Sequence, residues 1–436
     1  MTTPQDHAYS RRLFMQQGVT LASMAATLPQ FIQRSAAGML MPEGSMLSSQ
    51  AGVPEDQVLV IVQLGGGNDG LNTVVPYGSD IYYKARPAIA IGAPGSSRNN
   101  AAALSIDGAD GIGLHPAMSE FKEMMDDGNA AIIQGVGYPN PNRSHFTSMD
   151  IWHTANNSGT RTNGWVGRYF DCTCKGTPDP ESGVSIGRET PLAMVGDQQK
   201  PVSFENEEFF KWQGQNLNSA LEDPYHRITR SGSLEPVPSN NQMDFLMRTS
   251  LDAQLSSDRI RAAVAKRPLV NYPRNRLAQQ LQTVGAMIRD QMRTRVYYVS
   301  LGGFDTHAGQ VGTHQNLLGQ VSASLKAFHE DMKAQGNNGR VLTMVFSEFG
   351  RRVRQNGSSG TDHGTAAPMY LVGDMVRPGL HGVHPSLTDL DNGDLKFTLD
   401  FRRVYAGILE QWLKAPSKEI LRGTYKPVNV LKDGLA

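Results

Sequence analysis

The chain has 436 residues, enough for one large domain or two ordinary ones whose core needs neither metal nor disulfide merely to fold. Lysine plus arginine equals aspartate plus glutamate at 41 each, with neither sign gathered in one block. That excludes the electrostatic footprint of a nucleic-acid binder. The only cysteines, Cys172 and Cys174, stand two apart; a bridge there would be strained and close almost no loop, so no disulfide framework is expected.

The charge balance breaks in residues 1–37, where Arg11, Arg12 and Arg34 face Asp6 alone and a charge-poor stretch runs from Leu13 to Ile32. This is the layout of an export signal, and Ser10-Arg11-Arg12-Leu13-Phe14-Met15 resembles the twin-arginine consensus. Gln16, Gln17, Gly18 and Pro29 leave the apolar run too weak for a membrane span. The expectation is a signal peptide over 1–37, cleaved after Ala25 or Ala37 and read by the twin-arginine translocation machinery. The mature protein would be periplasmic or secreted, with no stable membrane span. Removing three positive charges and one negative leaves it at net −2.

A polar connector at 38–57 leads into VLVIVQL at 58–64, a continuous β-branched run of the kind buried on both faces of a sheet. Similar runs recur at 130–133, 296–301, 341–346 and 369–372, with helical patterns between them, most clearly at 275–293 and 315–333. Strands alternating with helices predict an α/β domain over 58–436, its mostly parallel central sheet covered by helices on both faces. Residues 198–270 are richer in Gln, Asn, Ser and charge, helical in pattern at 243–265, and read as a helical insertion or cap.

Ligands of open α/β sheets sit beyond the carboxyl ends of the strands, so the residues after each run carry the chemistry. The first run ends in Gly65-Gly66-Gly67-Asn68-Asp69-Gly70. The glycines satisfy a dinucleotide pattern, but Leu71 to Pro76 reads as extended where a helix is required, and Asp80 comes too early for the ribose carboxylate. What remains is Asp69, a carboxylate where glycines allow close approach. Next come Asp305 and His307 in Gly302-Gly303-Phe304-Asp305-Thr306-His307, then Glu348 and Arg351 in Ser347-Glu348-Phe349-Gly350-Arg351-Arg352, then Asp362 and His363 in Gly360-Thr361-Asp362-His363-Gly364. A turn-capping acid with a surface histidine accounts for any one of these motifs. Four acid-bearing strand ends, two with histidines, point instead to a divalent-metal centre.

A nucleophile is offered by Tyr138-Pro139-Asn140-Pro141-Asn142-Arg143-Ser144-His145-Phe146, where Ser144 falls at the start of a helical pattern. Two readings stand open there: a helix N-cap, or a nucleophile whose position beside orphan N–H groups suits an anionic phosphoryl or sulfuryl group. No Gly-x-Ser-x-Gly elbow suggests an ordinary serine esterase. Asp400 in Asp400-Phe401-Arg402-Arg403-Val404-Tyr405 reads as an N-cap with arginines in reach of an anion, and His381 and His384 read as loop histidines.

In order and spelling, GGGNDG, NRSHF, FDTH, SEFGR, GTDHG and DFRRVY resemble the exported bacterial family of proteins of unknown function numbered 1501, over about 58–414. That family is similar in fold to the alkaline phosphatase and sulfatase superfamily, which holds one or two divalent metals at strand ends and attacks with Ser, Thr or modified Cys. The resemblance implies an alkaline-phosphatase-like domain in which Asp69 is the first-strand ligand and Ser144 the nucleophile. Asp305, His307 and His363 would be ligands of the other metal. Glu348 falls where the superfamily has the Asp of an Asp-His pair, but the His is Phe349 here. The spacing of Asp305 to His307 is also shorter than usual. These departures leave one metal short of a nitrogen ligand.

The reading is therefore a metal-dependent hydrolase of phosphate or sulfate esters acting outside the cytoplasm, with one or two ions of zinc, manganese, magnesium or calcium. Its substrate would be an anionic small-molecule or glycan ester, with Arg143 or Arg351 gripping the anion. The other reading is a catalytically degenerate module that binds metal and an anionic glycan.

Overall fold

Seven residues with four β-branched side chains form the central strand β1 (Val58–Leu64). The computed structural model describes residues 57–205 and 257–432, except 97, 99–100, 159–161, 176–179 and 199–200, together with the short strand Ser48–Ser49. The export signal at 1–37 and most of the insertion lie outside the described residues. Of the helix expected at 243–265, residues 257–264 are described and helical. The chain divides into two compact units, Met1–Pro42 with Phe204–Ala262, and Glu43–Ser203 with Ala263–Ala436; the candidate site belongs to the second. Among the described residues no helix is long and apolar enough to cross a membrane.

The other strands of the main sheet are β2 (Ala130–Gly137), β3 (Gly183–Ile186), β4 (Val202–Phe204), β5 (Val296–Leu301), β6 (Val341–Ser347), β7 (Ala367–Val372), β8 (Gly379–His381) and β9 (Leu399–Asp400). They lie in the order β8-β2-β7-β6-β1-β5-β3-β4, with β9 also beside β2. Every assigned pairing is parallel except the two made by β7. The expected mostly parallel α/β sheet is the architecture observed.

Both faces of the sheet are buried, which explains why the strands read as unbroken apolar runs. Leu59 and Ile61 pack into a core with Trp152, Tyr169 and Phe401, from α3 (His145–Thr154), α4 (Trp165–Thr173) and α7 (Phe401–Gly407). The alternate residues Val60 and Val62 are equally buried. On that side lie α2 (Ser119–Asp126), α5 (Arg276–Arg289) and α6 (Gln310–Gln335). Caps set several helix ends: the Asn275 side chain accepts from Ala278 N at 2.9 Å, and Gly336 closes α6 at φ +72°.

Register gathers the chemistry. Leu64 lies opposite both Leu301 and Ser347, so β1, β5 and β6 end side by side. Because β7 is antiparallel, with Ala367 opposite Val136 of β2, the segment before β7 and the segment after β2 reach the same edge. Five loops that are remote in sequence thus converge. One local expectation fails: residues after Asp69 are not extended throughout but form a single turn, α1 (Gly70–Thr73), before a short strand at Val74–Val75. Asp69 caps that turn itself, accepting from Leu71 N at 3.2 Å, and Thr73 Oγ1 donates to Asp69 O at 2.7 Å.

Candidate metal centre

Asp305 stands at the middle of the shared edge. Its Oδ1 is 3.0 Å from His307 Nε2 and 3.1 Å from His363 Nε2, and its Oδ2 is 3.6 Å from His145 Nε2. The two nitrogens of His307 and His363 are themselves 3.0 Å apart. Ligand atoms of His145, Asp305 and His363 all lie within 4.8 Å of one another. Asp305 and His363, 58 residues apart in the chain, therefore point at the same spot, as a common metal centre requires.

The loops meet this closely because glycines permit it. A side chain at Gly66, where φ is +122°, would collide with the backbone at Asp305, and one at Gly360 with the backbone of His307. His363 is placed by a short ladder between the loops after β6 and before β7: Gly350 N to Thr365 O and Gly364 N to Gly350 O at 2.8 Å each, and Arg352 N to Asp362 O at 3.0 Å.

All three imidazoles are held by their other nitrogen. His145 Nδ1 is 2.8 Å from Glu348 Oε1, His363 Nδ1 is 2.8 Å from the Arg143 carbonyl, and His307 Nδ1 is 3.3 Å from Asp362 Oδ1. Ionised carboxylates and carbonyls only accept, so in each pair the Nδ1–H donates. In the neutral ring that leaves an Nε2 lone pair directed at Asp305. Lone pairs 3.0 Å apart, both against a carboxylate oxygen, repel unless a cation or a shared proton lies among them. Two imidazoles and a carboxylate, from His145, His363 and Asp305, can reach one ion, with His307 Nε2 3.0 Å from Asp305 and from His363. Such a donor set suits a late first-row divalent ion, and hydrogen bonds to each Nδ1 are the usual support of such ligands. The residues present therefore fit the metal that the resemblance implies.

His145 is the member that sequence reasoning missed. Its signal was available: Glu348 lacked the imidazole partner, because Phe349 holds that position. The structure supplies the imidazole from the first turn of α3, lying 4.9 Å from the Phe349 ring and 4.4 Å from that of His363. Glu348 is buried; it accepts from Gly66 N at 2.8 Å and from Ser347 Oγ at 3.1 Å, so it orients His145 from behind. Its hydrogen bond to His145 raises the pKa of that imidazole. Burial pushes the Asp305 carboxyl up, but Arg351 and His363 beside it hold it down at about 2.

Other expected residues sit elsewhere or serve otherwise. Asp69 is fully buried, and its carboxylate bonds Arg86 Nη1 at 2.6 Å and accepts from Gln310 Nε2. Burial raises its pKa, yet Arg86 outweighs this and keeps the group below the usual carboxylate range. Asp69 is enclosed with Arg86 and is not among the residues grouped around Asp305. Arg351, expected as an anion grip, is buried; its guanidinium donates to the carbonyls of Gly67, Thr361, Gly66 and Phe304 and, at 2.6 Å, to Asp305 Oδ1. It clasps three loops together instead of facing a ligand. Asp362 is exposed and stands behind His307. Ser144 occupies the N-cap position of α3 immediately before His145, is exposed, and makes no side-chain cap hydrogen bond. Arg143 pairs with Asp394 while its side chain stays 41 % exposed. Asp400 caps α7 and is gripped by Arg402. His384 bonds the Pro385 carbonyl in a loop as expected, whereas His381 ends strand β8 instead of lying in a loop, with its Nε2 2.6 Å from the Arg377 carbonyl.

Fold and site together define a mostly parallel α/β protein with a histidine–carboxylate centre at the carboxyl edge of its sheet. The chain belongs to the family described as protein of unknown function (DUF1501), whose model matches residues 56–420. No curated protein matches it. Among solved structures it is similar to the C-terminal periplasmic domain of EcEptC from Escherichia coli in complex with Zn, at 10 % identity over 76 % of this chain and 77 % of that one, with a TM-score of 0.34. It is also similar to the lipoteichoic acid synthase LtaP from Listeria monocytogenes (8 % identity, 91 % and 80 % covered, TM-score 0.36). A protein in the alkaline phosphatase superfamily from Vibrio parahaemolyticus shares 7 % identity, with 81 % and 70 % covered and a TM-score of 0.33.

Proposed function

We propose that the protein is a hydrolase of phosphate or sulfate esters, exported by the twin-arginine route, with one divalent cation held by His145, His307, His363 and Asp305. The observation that carries this is the meeting of two Nε2 lone pairs and a carboxylate oxygen within 3.1 Å, each imidazole locked from behind by an acceptor. Imidazole-rich ligation favours zinc or a similar first-row ion over magnesium or calcium. One cation suffices, because Arg86 already neutralises Asp69.

When bound, the cation supplies Lewis acidity and a positive seat for developing oxyanion charge. The rest falls to this chain. Ser144, exposed at the N-terminus of α3 with its hydroxyl uncommitted to a cap, attacks phosphorus or sulfur; the leaving alcohol departs, and water then cleaves the seryl ester. The first N–H groups of α3 favour the anion there. Arg143, next to Ser144 and 41 % exposed while paired with Asp394, is the arginine this reading assigns to the anion.

The test is metal analysis of the exported protein followed by an ester screen. One equivalent of cation per chain is expected, lost in His363→Ala and retained in Ser144→Ala, and Ser144→Ala should abolish turnover of aryl phosphates or sulfates. A metal-loaded wild type inert to every ester would make the site a binding module. A fully active Ser144→Ala would discard the seryl intermediate.

A further inference from the structure

Phe349 has a second side. Its ring lies 4.9 Å from that of His145 and 4.8 Å from that of His363, and it also lines a cavity of about 350 Å³ with Tyr138, Pro139, Pro141, Lys396 and Phe397. The cavity wall and the centre share Phe349 and lie on the same two loops: Pro141 precedes Arg143 by two residues, and Thr365, also in the wall, follows His363 by two. We infer that this cavity receives the organic group of the ester, and that the group is an uncharged ring presenting an apolar face. As a statement about substrate this rests on the ester-hydrolase reading; the capacity to bind a ring does not.

Three features argue for a ring. Tyr138, Phe349, Phe397, Pro139 and Pro141 give the lining flat apolar surfaces of the kind that stack on ring faces. Its charged members, Lys396 and Asp391, are exposed at the rim, and Lys396 is already paired with Asp389. A second anionic group would therefore find no buried counter-charge in the wall, so the anion lies at the histidines and the uncharged part in the cavity. Volume agrees: roughly 150 Å³ of dry cavity accepts a benzene, so this one has room for one substituted ring or two fused ones. Phe349 thus replaces a ligand imidazole by a wall shared between metal centre and ring pocket. Two sources share this chemistry, an aryl group and the apolar face of a pyranose.

Calorimetry on the full metal-loaded chain tests it with non-hydrolysable probes. Phenylphosphonate should bind at least roughly tenfold more tightly than methylphosphonate, about 1.4 kcal/mol, and Phe397→Ala should bring the ratio close to one. Phe397→Leu keeps apolar bulk but loses the flat face, and should also lower the ratio; its melting temperature and metal content show whether the fold is intact. Equal binding of the two phosphonates by wild type, or a ratio unmoved in both variants, overturns the inference. Phenol and methyl α-glucopyranoside, followed by saturation transfer to the metal-stripped chain, separate the two sources, since only the favoured ring gives a signal that Phe397→Ala removes. If methylphosphonate fails to bind while a free ring still gives that signal, the pocket stands and the ester-hydrolase reading falls. Absence of both signals removes the pocket.

Discussion

Two carboxylates at neighbouring strand ends, Asp69 after β1 and Asp305 after β5, meet opposite fates. Asp69 is closed in, with Arg86 at 2.6 Å and both side chains fully buried. Asp305 has a side chain 47 % exposed and faces three imidazoles as well as Arg351. The first site holds a permanent counter-charge supplied by the chain, so nothing need come from solvent. The second combines lone pairs with a carboxylate on the open edge, where an exchangeable cation can enter. Both carboxylates carry a buried arginine at 2.6 Å, so what separates the closed acid from the open one is exposure and the three imidazoles that face Asp305.

The largest effect expected is at the closed site. Arg86→Met leaves a buried carboxylate alone and should cost about 3–5 kcal/mol, measured by urea unfolding; a loss under 1 kcal/mol would mean that the pair is not the anchor of this loop. Acid should weaken the same contact. Asp69 titrates below its unfolded value of about 3.9, so its contribution is full above that pH and disappears as pH falls through the folded value. The stability gap between wild type and Asp69→Asn should narrow on going from pH 5 to pH 3. A constant gap would contradict the depressed pKa.

At the open site the expected loss is in affinity. Glu348→Gln keeps the shape but weakens the hold on His145 Nδ1, and should reduce metal affinity about 10- to 100-fold with little change in melting temperature of the metal-free protein. If the metal-free fold collapses instead, Glu348 belongs with Asp69 as a structural acid. The smallest effect separates two helix starts. Asn275→Ala removes a cap bond and should cost about 1 kcal/mol. Ser144→Ala removes none and should stay within about 0.5 kcal/mol. Equal losses would return Ser144 to a capping role.

Much of this was written in local patterns. The unbroken apolar runs at 58–64, 296–301 and 341–346 identify strands buried on both faces, and strands in a mostly parallel sheet share one carboxyl edge, so acids following them share it too. On that logic Asp305, His307 and His363 could be grouped before any coordinates were known. Partnership could not, because it depends on which side chains from distant segments fill the same space. Arg86 lies 17 residues from Asp69 on a short surface-facing pattern with nothing to mark it as the buried counter-ion. Arg351 looks like an anion grip in sequence, and only the three loops folded around it show its donors in use. His145 was hidden for the same reason: its link to Glu348 spans 203 residues. Residue periodicity is set by backbone geometry within a few positions and can be read along the chain. Charge compensation is set by contact in space, and for Asp69 and Asp305 only the packing of the loops decided it.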